Sequence, residues 1–120
     1  MRAIHPVHLH DKGAEVANLH EGLRFLIRHQ SGISDNDRQT LQQQLAADLG
    51  AQTFGHATAH LVGIFQYQLK RREDLPKEVK AKFKNLPLLP ADAGTGNGDV
   101  DDLTAEALNW LLKEAGAFNH

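Results

Sequence analysis

Cysteine is absent from this sequence of 120 residues, and tryptophan, tyrosine and methionine each occur once. Without cysteine the chain can build neither a disulfide framework nor a metal site with thiolate ligands. No run of residues approaches the roughly 20 apolar positions that a membrane-spanning helix requires. The first residues also lack the apolar stretch of a signal peptide. We therefore expect no membrane span and no export by a signal in this sequence, and the localisation stays open.

Neither sign of charge is in large excess, since 13 lysines and arginines stand against 15 aspartates and glutamates. The formal net charge of -2 gives no electrostatic reason to expect a nucleic acid or an anionic membrane as partner. A hydrophobic fraction of 41% is too high for a disordered chain, and the length suits one domain with one core. We predict an N-terminal arm over residues 1–12 and a single helical domain over residues 13–117.

Apolar residues recur at spacings of three and four along most of the chain, which predicts amphipathic helices. No alternating apolar run is long enough for a sheet, although Val7 and Leu9 alternate with histidines in a way that favours a short extended arm. The glycine-rich residues 93–98 have the composition of a flexible loop or tight turn. The fold class is therefore predicted to be all-α, with three principal helices and two accessory ones.

Capping and breaking residues set the expected limits of these helices. We expect a first helix over about 14–28, ended by Gln30-Ser31-Gly32, and a second that starts at Ser34 or Asp35 and stops at Gly50. A third helix is expected over about 56–72, and a short fourth one after Pro76, ended by Pro87 and Pro90. The last helix is expected to be capped by Asp101 or Asp102 and ended by Gly116.

The most distinctive local pattern is the stretch from Phe54 to Gln66. Gly55 is expected to allow a turn geometry that a side chain would penalise, and Thr58 follows among first-turn residues whose N–H groups need partners. Gln66 ends the pattern, and its amide is expected either to hydrogen-bond a loop backbone or to line a groove. A G-x-x-T start followed by V-x-x-F-Q exceeds what an amphipathic helix requires, so the stretch also bears on family.

Together with two further motifs, this stretch resembles the peptidoglycan-binding-like domain family, a three-helix module appended to many cell-wall hydrolases. The family has three sequence motifs. Residues 13–23 correspond to the first, a glycine followed by V-x-x-L-Q-x-x-L, and residues 54–66 correspond to the second, F-G-x-x-T-x-x-A-V-x-x-F-Q. Residues 97–108 correspond to the third, D-G-x-V-D-x-x-T-x-x-x-L. The residues in these places are Gly13, Val16, Leu19 and Leu23, then Phe54, Gly55, Thr58, Leu61, Val62, Phe65 and Gln66, and finally Gly98, Val100, Asp101, Thr104 and Leu108.

The chain departs from the family pattern at two motif positions and in two insertions. His20 stands where the first motif has glutamine, and Asn97 stands where the third motif has aspartate. Insertions over about 30–50 and 72–95 carry the two accessory helices and nearly double the compact length of the family. Such insertions are similar to those of variants in large bacterial toxin-complex and virulence proteins.

The resemblance implies a non-catalytic binding module for peptidoglycan or a related cell-wall polymer, either cell-wall associated or exported as part of a larger chain. Its expected ligand contacts are Gln66, Asn97, Asp99 and His56, without a cofactor, and Tyr67 or Trp110 would offer a flat surface. The alternative is a scaffold that keeps the fold without glycan binding. It would contact a partner protein, a neighbouring domain or a second copy through an apolar patch on the 75–89 segment.

Metal and catalytic sites are the remaining possibilities. His5, His8 and His10 are close enough in sequence to share an ion, and His56 and His60 lie on one helix face, but no further ligand or H-E-x-x-H pattern completes either set. Asp99, Asp101 and Asp102 lack the distal glutamate of a calcium loop, so helix capping is preferred there. Ser31 and Ser34 have no G-x-S-x-G frame. We expect neither a metal site nor an enzyme.

Overall fold

The computed structural model of the chain describes residues 2–29, 34–89 and 92–118. Helices form most of this described part, so the predicted all-α class is confirmed. The elements are helices α1 (Ala14–His29), α2 (Asp35–Ala51), α3 (His56–Arg71), α4 (Lys77–Phe83) and α5 (Asp102–Glu114), with the short strands β1 (Leu88–Leu89) and β2 (Asp92–Gly96) between α4 and α5. None of the helices in the described ranges combines the length and apolarity that crossing a membrane requires.

Helices α1, α3 and α5 contact one another and enclose one apolar core. Val16 of α1, Phe65 of α3 and Leu108 of α5 belong to the same buried cluster, and each is at most 1% exposed. Their spacing along each helix places one apolar face inward, as the periodicity predicted. Helix α2 packs on α1 and α3, and α4 packs on α3, so both accessory helices lie against the three-helix core.

The caps agree with the sequence at two helices and differ at one helix end. Ser34 accepts a hydrogen bond from the backbone N–H of Asp37, and Asp101 accepts one from that of Thr104. Gly50 does not stop α2, because the helix continues to Ala51. The left-handed turn instead occurs at Gln52, whose N–H bonds the carbonyls of the last turn. A glycine inside a helix lowers stability only modestly, so Gly50 does not force α2 to end.

The glycine-rich segment differs from its expected loop or tight turn. Strand β2 covers most of it and pairs antiparallel with β1, with Leu88 opposite Gly96 and Leu89 opposite Asp92. Each strand provides hydrogen-bond partners for backbone groups of the other. The composition of 93–98 alone does not reveal that such a partner strand exists. The expected ends at Gln30-Ser31-Gly32 and Pro90 lie outside the described residues.

The N-terminal arm packs on the helical domain along most of its length. Asn109 pairs with both backbone groups of Ile4, its Oδ1 accepting at 2.7 Å and its Nδ2 donating at 2.9 Å. Further along, Val7 forms a single antiparallel bridge with Val100, and Lys12 forms another with Thr53. The arm thus runs between the loop that precedes α5 and the loop that precedes α3.

Candidate ligand-binding face

Gln66 is a buried residue of α3 whose amide fixes the loop before α5. Its side chain is 1% exposed. Its Oε1 accepts the backbone N–H of Gly98 at 2.9 Å, and its Nε2 donates to the Asp99 carbonyl at 3.1 Å and to Thr104 Oγ1 at 2.9 Å. Of the two roles that the sequence left open for this amide, these contacts favour bonding to a loop backbone. A buried amide of this kind positions neighbours and offers a ligand no free group.

The loop that Gln66 holds approaches α3 so closely that only glycine fits at its centre. Gly98 has a φ of 78°, and a Cβ added there would lie 2.5 Å from the carbonyl oxygen of Ala59. Asn97 comes directly before it and is exposed. The Asn97 Oδ1 accepts from Gln66 Nε2 at 3.1 Å and from the Asp99 N–H at 3.0 Å. The Asn97 amide is therefore presented at the surface in a fixed orientation.

Asp99 forms an ion pair with the N-terminal arm. Its Oδ1 lies 2.8 Å from Nδ1 of His8, and both side chains are exposed to solvent. The hydrogen bond to Asp99 and the charge of that carboxylate raise the pKa of His8 above 6.5. Asp11 holds the same histidine by its backbone, since the His8 N–H donates to Asp11 Oδ2 at 2.8 Å. The arm therefore places beside Asp99 an imidazole whose protonated form this pairing favours.

A tight turn in the arm places His10 next to His56. The N–H of Asp11 donates to the carbonyl of His8 at 3.0 Å, and His10 inside this turn has a φ of 77°, which is uncommon for a residue with a side chain. The His10 and His56 rings meet edge to face with centroids 6.3 Å apart. His56 is the first residue of α3 and is exposed.

We call the surface formed by His8, His10, His56, Asn97 and Asp99 the polar end face. Three of the four sequence-predicted contacts lie on it, while Gln66 lies beneath it in the interior. The two arm histidines were not among the predicted contacts. Their alternation with apolar residues was the available signal, because it indicated an extended arm with two imidazoles on one side.

A second hydrogen-bond network joins α1, α2 and the start of α3. Asp48 Oδ2 accepts the N–H of Gly55 at 3.1 Å, the N–H of Thr58 at 2.8 Å and the hydroxyl of Thr58 at 2.6 Å. His20 Nε2 lies 3.0 Å from the same hydroxyl oxygen. Burial lowers the pKa of His20 below 6.5, against a weaker opposing effect of the Asp48 charge. His20 is thus favoured in its neutral form.

The expected reason for Gly55 is corrected by this network. Its φ of -101° and ψ of -171° are an extended conformation that residues with side chains also adopt. A Cβ at Gly55 would instead lie 2.9 Å from Cγ of Asp48. Glycine is needed here for the close approach of the capping carboxylate, which the turn-geometry argument did not foresee.

The structure shows the surroundings of the residues considered for a metal site and for ring stacking. Among the described residues, no group of three or more histidine, aspartate or glutamate side chains is placed to hold a metal ion. The Tyr67 and Trp110 rings are each approached by an arginine, with the guanidinium carbon of Arg71 5.3 Å from the Tyr67 centroid and that of Arg72 5.5 Å from the Trp110 centroid. These guanidinium groups compete with a sugar for the ring faces.

In the segment 75–89, where an apolar patch was expected, three apolar side chains are withdrawn from the surface. Leu75, Phe83 and Leu86 are buried, at 7%, 2% and 0% exposure. Leu9 in the turn of the arm is a large apolar side chain that is exposed, at 40%. These three side chains are therefore not available for self-association through this segment.

Comparisons of this chain with models of protein families, with curated proteins and with solved structures found no match.

Proposed function

We propose that this chain is a non-catalytic binding module for peptidoglycan or a related cell-wall polymer. The supporting observation is that residues of the three motifs hydrogen-bond to one another across the helices. His20 of the first motif meets Thr58 of the second, and Gln66 of the second meets Gly98 and Thr104 of the third. Gln66, Gly98 and Thr104 match the family pattern in sequence and are thus also partners in space. His20 departs from the pattern, and its position in the first motif still contacts the second motif at Thr58.

The polar end face is the surface on which we place the ligand. It offers imidazole, carboxylate and amide groups, which suit the hydroxyl, amide and carboxylate groups of a cell-wall polymer. Asn97 and the His8–Asp99 pair are held by hydrogen bonds before any ligand arrives. Such preorganisation lowers the entropy that binding must offset.

Cosedimentation with purified cell-wall sacculi tests this function. We expect the protein to pellet with sacculi, and the bound fraction to fall in His56→Ala and Asp99→Asn. His29→Ala is the matched control, because His29 is an exposed imidazole at the last residue of α1, about 22 Å from the start of that helix. A protein that stays in the supernatant from pH 5 to pH 8 would refute the proposal.

A protein-interaction domain is the second proposed function, and a groove between α2 and α3 favours it. The groove has a volume of about 250 Å³ and is lined mainly by apolar side chains, including Leu41 and Ile64. Helix α2 belongs to the insertion over 30–50, outside the segments that carry the resemblance. Light scattering over a range of protein concentrations, alone and with neighbouring domains, tests this function, and a strict monomer without any partner counts against it.

A further inference from the structure

The groove between α2 and α3 has an apolar base and polar edges. Leu61 and Phe65 form the base of the groove and are 2% and 1% exposed, so this base is continuous with the apolar core. Leu41 and Ile64 are half-buried and provide apolar walls that solvent reaches. The groove is half open to solvent. It can therefore cover one side of an inserted apolar group.

The two helices are fastened together at the opposite end from this groove. Residues 52–55 connect them, and there Asp48 of α2 accepts the N–H groups of Gly55 and Thr58. The groove begins about one turn further along α3 and extends to Gln68 and Asp37. Within the described residues, the side chains of Asp37 and Gln68 make no hydrogen bond or ion pair across it. The pair of helices is thus fixed at one end and open at the other.

Asp37 supplies a negative charge that lines the open end of the groove. Asp37 lines the groove and is exposed, and no cation pairs with its carboxylate in the described ranges. The neighbouring cation Arg38 is directed toward α1, where its Nη1 donates to the carbonyl of Arg28 at 2.7 Å. The uncharged groups of Thr40 and Gln68 complete the edge. A cation beside the groove would therefore be attracted to Asp37.

We propose that this groove binds a peptide segment of a partner protein in which a bulky apolar side chain is followed by a lysine or arginine. The apolar side chain would fill the space between Leu41 and Ile64, and the cation would pair with Asp37. A side chain from a crossing peptide suits a half-open groove, whereas a small molecule usually needs most of its surface enclosed. A sugar would find no accessible aromatic face there, because Phe65 is buried. The inference rests on the second proposed function and names the chemistry of its partner.

Three blocked tetrapeptides test the inference by amide chemical shifts in the ¹H–¹⁵N spectrum. The first has phenylalanine followed by lysine at its centre, the second has glutamate in place of lysine, and the third has alanine in place of phenylalanine. We expect the first to shift the amides of Leu61, Ile64 and Gln68 with a Kd of about 1 mM. The second should bind roughly three- to tenfold more weakly, as exposed charge pairs allow, and the third should leave these amides unshifted.

Two matched variants separate the charge from its position on α2. Asp37→Asn should abolish the difference between the lysine and glutamate peptides while the apolar contact persists. Asp35→Asn should leave the difference unchanged, because the Asp35 carboxylate lies on the same helix turn but outside the groove lining, 3.9 Å from Nε of Arg38. Equal shifts with the lysine and glutamate peptides, or equal behaviour of the two variants, would overturn the inference. Partner-dependent light scattering would still support an interaction domain in that case, so the two failures are distinguishable.

Discussion

Replacing Gly98 with alanine tests whether the close contact between the 97–99 loop and α3 holds the polar end face in place. Gly98, Gly116 and Gly13 all have positive φ, at 78°, 90° and 109°. A Cβ would meet nothing within 4 Å at Gly116 and Gly13, but would lie 2.5 Å from the Ala59 carbonyl oxygen at Gly98. The three substitutions therefore share the conformational strain, and only Gly98→Ala adds a backbone collision.

The magnitudes follow from these contacts. Strain in the left-handed region costs about 1 to 2 kcal/mol for each alanine. At Gly98 the loop must also move, which breaks the 2.9 Å hydrogen bond to Gln66 Oε1 and leaves a buried amide without its partner. An unsatisfied buried group costs about 1 to 3 kcal/mol. We expect the free energy of unfolding to fall by about 3 kcal/mol or more in Gly98→Ala, and by about 1 to 2 kcal/mol in each control.

Urea denaturation monitored by circular dichroism gives these free energies, and equal m-values confirm that the same surface unfolds in each variant. Exchange of the Gln66 side-chain amide protons is a second readout, since it should accelerate only in Gly98→Ala. A Gly98→Ala variant that is no less stable than Gly116→Ala would refute the reasoning, because the collision and the lost hydrogen bond would then have no measurable cost.

Three further substitutions test the α2–α3 connection and the backbone. Asp48→Ala should lower the free energy of unfolding in urea by about 2 kcal/mol, because the cap of α3 is lost. Asp37→Ala is the control, and an equal loss of stability in that variant would contradict this expectation. Because burial holds the pKa of His20 below its unfolded value of 6.5, the unfolded chain binds more protons, and the wild type should lose stability as pH falls below about 6.5, by up to about 1.4 kcal/mol per pH unit. His20→Gln should flatten that pH profile in thermal melts, and parallel profiles would count against a buried neutral histidine. Gln52→Gly should raise the free energy of unfolding by about 0.5 to 1 kcal/mol, since φ is 51° there, and a decrease in the urea midpoint would be the opposite of this expectation.

Local signals in the sequence were sufficient where the physical cause is local. Ser34 and Asp101 cap helices through N–H groups three residues away, so a short window contains both partners. The apolar spacing likewise placed Val16, Phe65 and Leu108 inward. The pairing of β1 with β2 and the end of α2 at Gln52 depend on neighbours beyond such a window. Composition alone therefore favoured a loop at 93–98 and an early stop at Gly50.

The polar end face shows the same division between local and long-range causes. The family pattern singled out Gln66, yet its role follows from contacts with Gly98 and Thr104, more than 30 residues away. His8 and Asp99 are 91 residues apart in sequence and 2.8 Å apart in space. No periodicity relates such a pair. The resemblance pointed toward the loop before α5, and only the path of the N-terminal arm brings the histidines beside it.

Asp48 gives the insertion over 30–50 a structural role that its sequence did not indicate. The start of α3 has free N–H groups, and Gly55 at its cap has no side chain to accept from them. The carboxylate of Asp48 fills this need from α2, and it also binds the Thr58 hydroxyl that contacts His20 of α1. Removing the insertion would therefore uncap α3 and leave a buried histidine without part of its network. The accessory helix is for this reason part of the core's stability, and its groove can serve a partner only while that connection is intact.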